Sequence, residues 1–166
     1  MRQEKAIFYQ NATKKLLCQI DTMKMTEGER NLAKRFILLF RNSFQSDDLK
    51  RAVFGDILGT KLNDITYPSD GFCKASSSAF MTMMRGKKWR LMYIDEIWTY
   101  GPHFFLYHIP SKQNFDLTFD QYANIGIDVP YYLGRPETES KEQKIQSQRL
   151  IDMIVKNLDN LQHNWD

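Results

Sequence analysis

The stretch from Ser69 to Met84 reads SDGFCKASSSAFMTMM and decides the predicted fold. Its first residues, through Gly71, are turn residues, so a loop spanning 63–71 should end here. A helix is expected to begin at Cys73, and its small residues at 75–79 would let it lie close against a sheet. We expect Gly86 to end this helix.

Cys73 would occupy the first turn of that helix. Backbone N–H groups and the positive end of the helix dipole favour the thiolate there, which is the reactive form of cysteine. The alternative is that Cys73 packs as a small apolar residue, because cysteine is among the most buried residue types. Cys18 is the other cysteine, and two cysteines so far apart indicate free thiols in a reducing compartment.

The residues after this helix predict a small antiparallel sheet. Aromatic and β-branched residues predict strands at 89–98, 103–109 and 115–118, with a hairpin between the last two. Ser140, with Gln143 three residues later, is typical of a helix cap. The apolar face expected of this C-terminal helix comprises Ile151, Ile154, Val155, Leu158 and Leu161.

Three helices are predicted before residue 60. The first covers 6–23, and the second begins at a capping box formed by Thr26 and Glu29. A third should begin at Ser46 and end at Gly59. The residues expected on the buried face of the second helix are Leu32, Phe36, Leu39 and Phe40, and those on the third are Leu49, Val53, Ile57 and Leu58.

This order of elements predicts an α+β fold in which a central Cys-bearing helix packs on a small antiparallel sheet. We expect one domain over 1–166, made of a helical N-terminal region (1–62), a Cys-His-Asp core (63–136) and a C-terminal helix (137–163).

Composition narrows the functional classes. The net charge is only +3 and the basic residues are scattered among acids, so we do not expect nucleic-acid binding. No apolar run approaches the roughly 20 residues that span a bilayer, and the N-terminus lacks a secretory leader, which predicts a cytoplasmic protein without membrane contact. No metal-ligand motif occurs, and no cofactor is expected. A weaker alternative is nucleic-acid binding through the basic residues of the N-terminal helices, but charges on the outer face of amphipathic helices are usually only solvated. These residues are Lys14, Lys15, Arg30, Lys34, Arg35 and Arg41.

A cysteine nucleophile needs a histidine to move protons and a third group to orient the ring. His163 lies in the polar C-terminal tail, and His108 lies beside a turn, where backbone or water would be its partner. His103 begins a strand, where its side chain can project into a cleft; its alternative role is a core or capping histidine.

Asp116 follows on the next strand within an apolar run, and a carboxylate there is usually paired because burying it alone is unfavourable. Orienting His103 is one such pairing, and capping the backbone of residues 112–114 is another. Thr118 and Gln121 could form local hydrogen bonds, and Gln121 could instead position the histidine or an oxyanion.

These motifs resemble those of the YunG-like proteins of bacteria and phages. The similar segments, spread over residues 69–155, are Gly71-Phe72-Cys73 with Ala75-Ser76, His103-Phe104-Phe105-Leu106, Asp116-Leu117-Thr118, Gln121-Tyr122 and Tyr132-Leu133-Gly134-Arg135.

The resemblance implies a papain/transglutaminase-like fold with catalytic Cys73, His103 and Asp116, supported by Gly71, Thr118 and Gln121. The chain departs from the family at Lys74, where an aromatic residue is common. It also has no glutamine or asparagine within a turn upstream of Cys73 to donate to an oxyanion, so backbone N–H groups or Asn63 would serve.

We therefore expect a cysteine-dependent hydrolase or acyl/amide transferase that acts on a peptide or small amide, in a bacterial cell or a phage-infected host. The alternative is a catalytically inactive interaction protein, of phage or mobile-element type, that binds a host protein. The aromatic residues that fit this alternative, and fit core packing better, are Phe104, Phe105, Tyr107, Tyr131 and Tyr132.

Overall fold

The computed structural model describes residues 3–54, 67–85, 87–98 and 100–163, with residues 157–163 as backbone only. Its helices are α1 (Gln3–Thr22), α2 (Glu27–Ser43), α3 (Asp47–Phe54), α4 (Cys73–Met83), α5 (Asp120–Ala123) and α6 (Lys141–His163). Its strands are β1 (Trp89–Ile94), β2 (His103–His108), β3 (Gln113–Phe115) and β4 (Arg135–Pro136), and a short 3-10 helix covers Tyr131–Leu133. Within these ranges the α+β prediction is confirmed.

Helix α2 begins as predicted, and its buried face overlaps the predicted one. Thr26 accepts a hydrogen bond from the Glu29 backbone while the Glu29 carboxylate accepts from Thr26, so the capping box is formed. The predicted contact of Leu32 with the core is wrong, because that side chain is 39% exposed. Of the other predicted residues, Phe40 is buried and Phe36 and Leu39 are partly buried against the core. Arg41 also turns inward, to a buried ion pair with Asp120. The buried side chains of α2 are Ala33, Ile37, Phe40 and Arg41.

Helix α4 packs against the sheet through its small residues, as predicted. Residues 75–79 are buried, and the Ser77 hydroxyl donates to the Phe104 backbone oxygen of β2 at 3.4 Å. Because these side chains are short, the helix backbone lies close to the strand. Cys73 is therefore held at the end of the sheet where β2 begins.

The sheet is antiparallel with the strand order β3-β2-β1-β4. Residue Ile94 is opposite His103 and Leu106 is opposite Phe115, which sets the register. The first strand ends at Ile94 rather than Trp98, because the chain turns there, and Trp98 is 75% exposed with a positive φ.

The third strand also ends earlier than predicted, at Phe115. Asp116 and Thr118 follow the strand and form a local turn, in which the Asp116 carboxylate accepts hydrogen bonds from the Thr118 backbone and hydroxyl. This local turn ends the pairing with β2. The prediction that Asp116 and Thr118 are strand residues is therefore wrong.

Ser140 caps the start of helix α6 as predicted, since its hydroxyl accepts a hydrogen bond from the Gln143 backbone at 3.1 Å. Leu150 and Ile154 face the core, whereas the predicted contact of Val155 is wrong because that side chain is 45% exposed. The predictions for Ile57, Leu58, Gly59, Asn63, Gly86, Leu158, Leu161 and the His163 side chain lie outside the described part.

One large hydrophobic core joins the N-terminal helices to the rest of the chain. Leu16, Ile37 and Phe40 from α1 and α2 are buried together with Phe115 beside the sheet and Leu150 of α6. The N-terminal helices thus complete the core that supports Cys73. Within the described ranges, no helix combines the length and apolar character needed to cross a membrane.

Candidate active site

Cys73 is the first residue of α4, at the end of the loop that contains Gly71. Gly71 has a φ of +79°, a conformation that favours glycine, and it turns the chain into the helix. The helix begins without a side-chain cap at Phe72, which leaves the N–H groups of its first turn near the Cys73 side chain. Cys73 is a free, partly exposed thiol, and the other cysteine, Cys18, is exposed on α1.

His103 and Asp116 form a buried pair beside Cys73. The His103 Nε2–H donates to Asp116 Oδ2 at 2.6 Å, and both side chains are almost fully buried. Cys73 lies close enough to His103 to contribute to raising the pKa of its ring. Because Nε2 is bound to Asp116, the nitrogen that remains for Cys73 is Nδ1. The structure thus brings the three predicted residues together in the order cysteine, histidine, aspartate.

Asp116 is fixed by four donors. Its Oδ1 accepts from the Thr118 backbone at 2.9 Å and from the Thr118 hydroxyl at 3.2 Å. Its Oδ2 accepts from His103 and from the Tyr131 hydroxyl at 3.0 Å. A buried carboxylate with this set of donors keeps its orientation, so Asp116 holds the His103 ring in one position.

His103 is positively charged at neutral pH. Burial by itself lowers the pKa of His103, but the charge and hydrogen bond of Asp116, followed by those of Cys73, raise the pKa to about 10. Burial and the negative charge of Asp116 raise the pKa of Tyr131, so its hydroxyl remains a donor. The site therefore places an imidazolium ring between a carboxylate and the Cys73 sulfur.

Gln121 and Tyr122 complete the surroundings of the histidine. Gln121 Nε2 lies 3.5 Å from His103 Nδ1 and donates to the Thr118 hydroxyl at 3.1 Å. The Tyr122 ring packs edge-on against the His103 ring with 4.9 Å between centroids. Of the two roles considered for Gln121, the structure shows the local hydrogen bond and places the amide beside the nitrogen that faces Cys73.

A cavity of about 320 Å³ opens beside this group. Gln121 and Tyr122 form one wall, and Asp70, three residues before Cys73, forms another. Burial raises the pKa of the Asp70 carboxyl to about 6, against the opposing effects of a backbone hydrogen bond and of Lys50. The cavity thus offers polar groups from the loop before Cys73 and from the segment that contacts His103.

The structure also bears on the predictions for His108, for metal ligands and for the aromatic residues. His108 Nδ1 pairs with the Ser111 hydroxyl at 2.7 Å, so its partner is a side chain rather than the predicted backbone or water. Within the part of the chain that the structure describes, no cluster of three or more histidine, cysteine or acidic residues could hold a metal ion. Of the aromatic residues considered for partner binding, Phe104 and Phe105 are buried and Tyr132 is 86% exposed.

Sequence reasoning missed the roles of Tyr131 and Asp120. Tyr131 contacts Asp116 from 15 residues away, and no local pattern indicates that contact. Asp120 is buried against Arg41 of α2. The feature of the sequence that could have indicated a buried ion pair was Arg41 itself, which follows Ala33 and Ile37 at helical spacing.

Comparison of the chain with models of known families, with curated proteins and with solved structures found no match.

Proposed function

We propose that this protein is a cysteine-dependent hydrolase or acyl/amide transferase that uses Cys73, His103 and Asp116 on a peptide or small amide. The observation that supports this proposal is the buried, hydrogen-bonded pair His103–Asp116, whose imidazolium ring lies beside Cys73. Such a series is the arrangement that thiol-dependent acyl transfer requires. A papain/transglutaminase-like fold, related to the YunG-like proteins, and a cytoplasmic location belong to the same proposal.

In this mechanism the Cys73 sulfur, as thiolate, forms a bond to the amide carbonyl carbon, and the C=O electron pair moves onto oxygen. When the C=O bond reforms, the C–N bond breaks and His103 Nδ1 gives its proton to the departing amine. Water or a second amine then attacks the thioester and returns a proton to His103. Cys73 leaves as thiolate, and Asp116 holds the ring throughout.

The oxyanion needs donors near Cys73. Backbone N–H groups of the first turn of α4 supply donors from the helix side of the oxyanion. Gln121 Nε2, which lies beside His103 Nδ1, supplies a side-chain donor that the sequence lacks upstream of Cys73. We assign the 320 Å³ cavity between Asp70 and Gln121 to the group that precedes or follows the attacked carbonyl.

Acylation of the protein by p-nitrophenyl acetate tests this proposal without knowledge of the natural substrate. The release of p-nitrophenol and the intact mass should show one acetyl group, which peptide mapping places on Cys73. Iodoacetamide at pH 7 should alkylate Cys73 at least about ten times faster than Cys18. The matched variants are Cys73→Ala, which should lose the acetylated species, and Cys18→Ala, which should retain it.

Equal labelling of Cys18 and Cys73 by both reagents would overturn the catalytic proposal. The alternative function, a protein that keeps the scaffold and binds a partner, would then be favoured. The exposed rings of Trp98 and Tyr132 are the observation that supports it.

A further inference from the structure

A second buried cluster lies next to the candidate triad. The Asp120 cluster comprises Asp120, Arg41, Tyr67 and Ser69. Arg41 donates to both carboxylate oxygens of Asp120 at 2.7 Å. The Tyr67 hydroxyl donates to one oxygen at 2.7 Å and the Ser69 hydroxyl to the other at 3.1 Å. All four residues have 1% exposure or less.

Three of the four members of the cluster come from segments that carry part of the candidate site. Tyr67 and Ser69 belong to the loop that leads into Cys73. Asp120 directly precedes Gln121, whose amide lies beside the His103 ring.

Arg41 also forms hydrogen bonds with two other parts of the chain, the segment after Asp116 and helix α1. Its Nη1 also donates to the Leu117 backbone oxygen at 3.1 Å, one residue after Asp116. Its Nε and Nη2 donate to the Thr13 hydroxyl and the Tyr9 backbone oxygen of α1. The cluster therefore connects three parts of the chain to the Asp120 carboxylate. They are the loop of residues 67–72 before Cys73 (the nucleophile loop), the segment after β3 and the N-terminal helices.

We infer that the Asp120 cluster is a positioning device that sets the approach of Cys73 to His103, with Tyr67 and Ser69 as its positioning residues. This inference rests on the proposed function, because it concerns the same site. A role in stability alone explains the location poorly, since a buried ion pair often adds little net stability compared with apolar residues of similar volume. Burial and Asp120 raise the pKa of Tyr67, so its hydroxyl stays a donor at working pH.

The test is the double variant Tyr67→Phe/Ser69→Ala, which releases the nucleophile loop from Asp120 but leaves the Arg41–Asp120 pair in place. The matched control is Tyr9→Phe, which removes the 2.6 Å hydrogen bond from the Tyr9 hydroxyl to the Arg41 backbone oxygen but leaves every donor to the Asp120 carboxylate in place. Tyr67→Phe and Tyr9→Phe keep an aromatic ring in the core and Ser69→Ala removes only a hydroxyl group, so both variants should fold. The double variant should lose more melting temperature, because it removes two hydrogen bonds to a buried carboxylate.

The first readout is the iodoacetamide rate of Cys73 as a function of pH. We expect the double variant to react at least about tenfold more slowly at pH 7 and with a shifted pH profile, because small displacements of reacting groups have large effects on rate. Tyr9→Phe should keep the rate and the profile of the natural chain.

The second readout is the pKa of His103, followed by NMR of the imidazole ring. The pKa should fall in the double variant, because Cys73 is one of the groups that raise it, and should stay unchanged in Tyr9→Phe. The inference is overturned if the two variants match in alkylation rate and in His103 pKa. If Cys73 of the natural chain reacts no faster than Cys18, the proposed function fails, and the His103 pKa still tests the positioning.

Discussion

Substitution of Asp116 by asparagine removes the charge that keeps His103 protonated while preserving the shape of the side chain. An asparagine oxygen can still accept from His103 and Tyr131, but its NH₂ group must then face the Thr118 backbone N–H. That donor loses its buried partner, and the imidazolium loses its counter-charge. Removing one partner of a buried pair costs about 3 to 5 kcal/mol, and we expect a loss of this order at pH 6.

The loss should shrink as the pH rises. The pKa of His103 is raised in the folded state, from an ordinary value of 6.5 to about 10. Its stabilising contribution is therefore fully present below pH 6.5 and is lost as the pH rises through 10. Between these values the difference in unfolding free energy between the natural chain and Asp116→Asn should fall by about 1 kcal/mol per pH unit.

Urea unfolding at several pH values from 6 to 10, under reducing conditions, measures this difference. The control is Asp95→Asn, which breaks an exposed ion pair with Arg135 and should change stability by less than about 1 kcal/mol at every pH. A gap between the natural chain and Asp116→Asn that stays flat over this range would refute the buried imidazolium.

Two further predictions concern the walls of the site. Gly134→Ala should destabilise the protein by about 1 to 3 kcal/mol, because the added Cβ would lie 2.5 Å from the buried Phe105 ring, whereas Gly28→Ala in α2, where nothing lies within 4 Å, should be neutral or slightly stabilising. Equal melting temperatures for the two alanine variants would contradict the close packing at Gly134. Gln121→Ala should slow acetylation by p-nitrophenyl acetate by about 100-fold but leave iodoacetamide alkylation unchanged, because alkylation forms no oxyanion. A parallel loss in both reactions would show that Gln121 does not act as an oxyanion donor.

Local chemistry made several features predictable from the sequence. The capping box of α2 depends on two residues three positions apart, and the start of α4 at Cys73 follows from the turn residues before it. The α+β order follows from the change of hydrophobic periodicity after residue 84. The closeness of Cys73, His103 and Asp116 was predicted in part from the resemblance to the YunG-like motifs rather than from spacing alone.

Features that depend on contacts between distant segments were not predictable. The inward turn of Arg41, which adds a charged residue to the buried side of α2, depends on Asp120, 79 residues later in the chain. The early end of β3 and the contact with Tyr131 both depend on the Asp116 carboxylate, which accepts hydrogen bonds from separate segments of the chain. By itself, the sequence predicted the longer helices α1 to α4 and α6, the first two strands and the residue types that could perform thiol chemistry, because propensity and periodicity are local. The short helix α5 and strand β4 were not predicted. Only the tertiary structure decided how the carboxylates of Asp116 and Asp120 are satisfied, because a buried charge takes its partners from whichever segments the packing brings near.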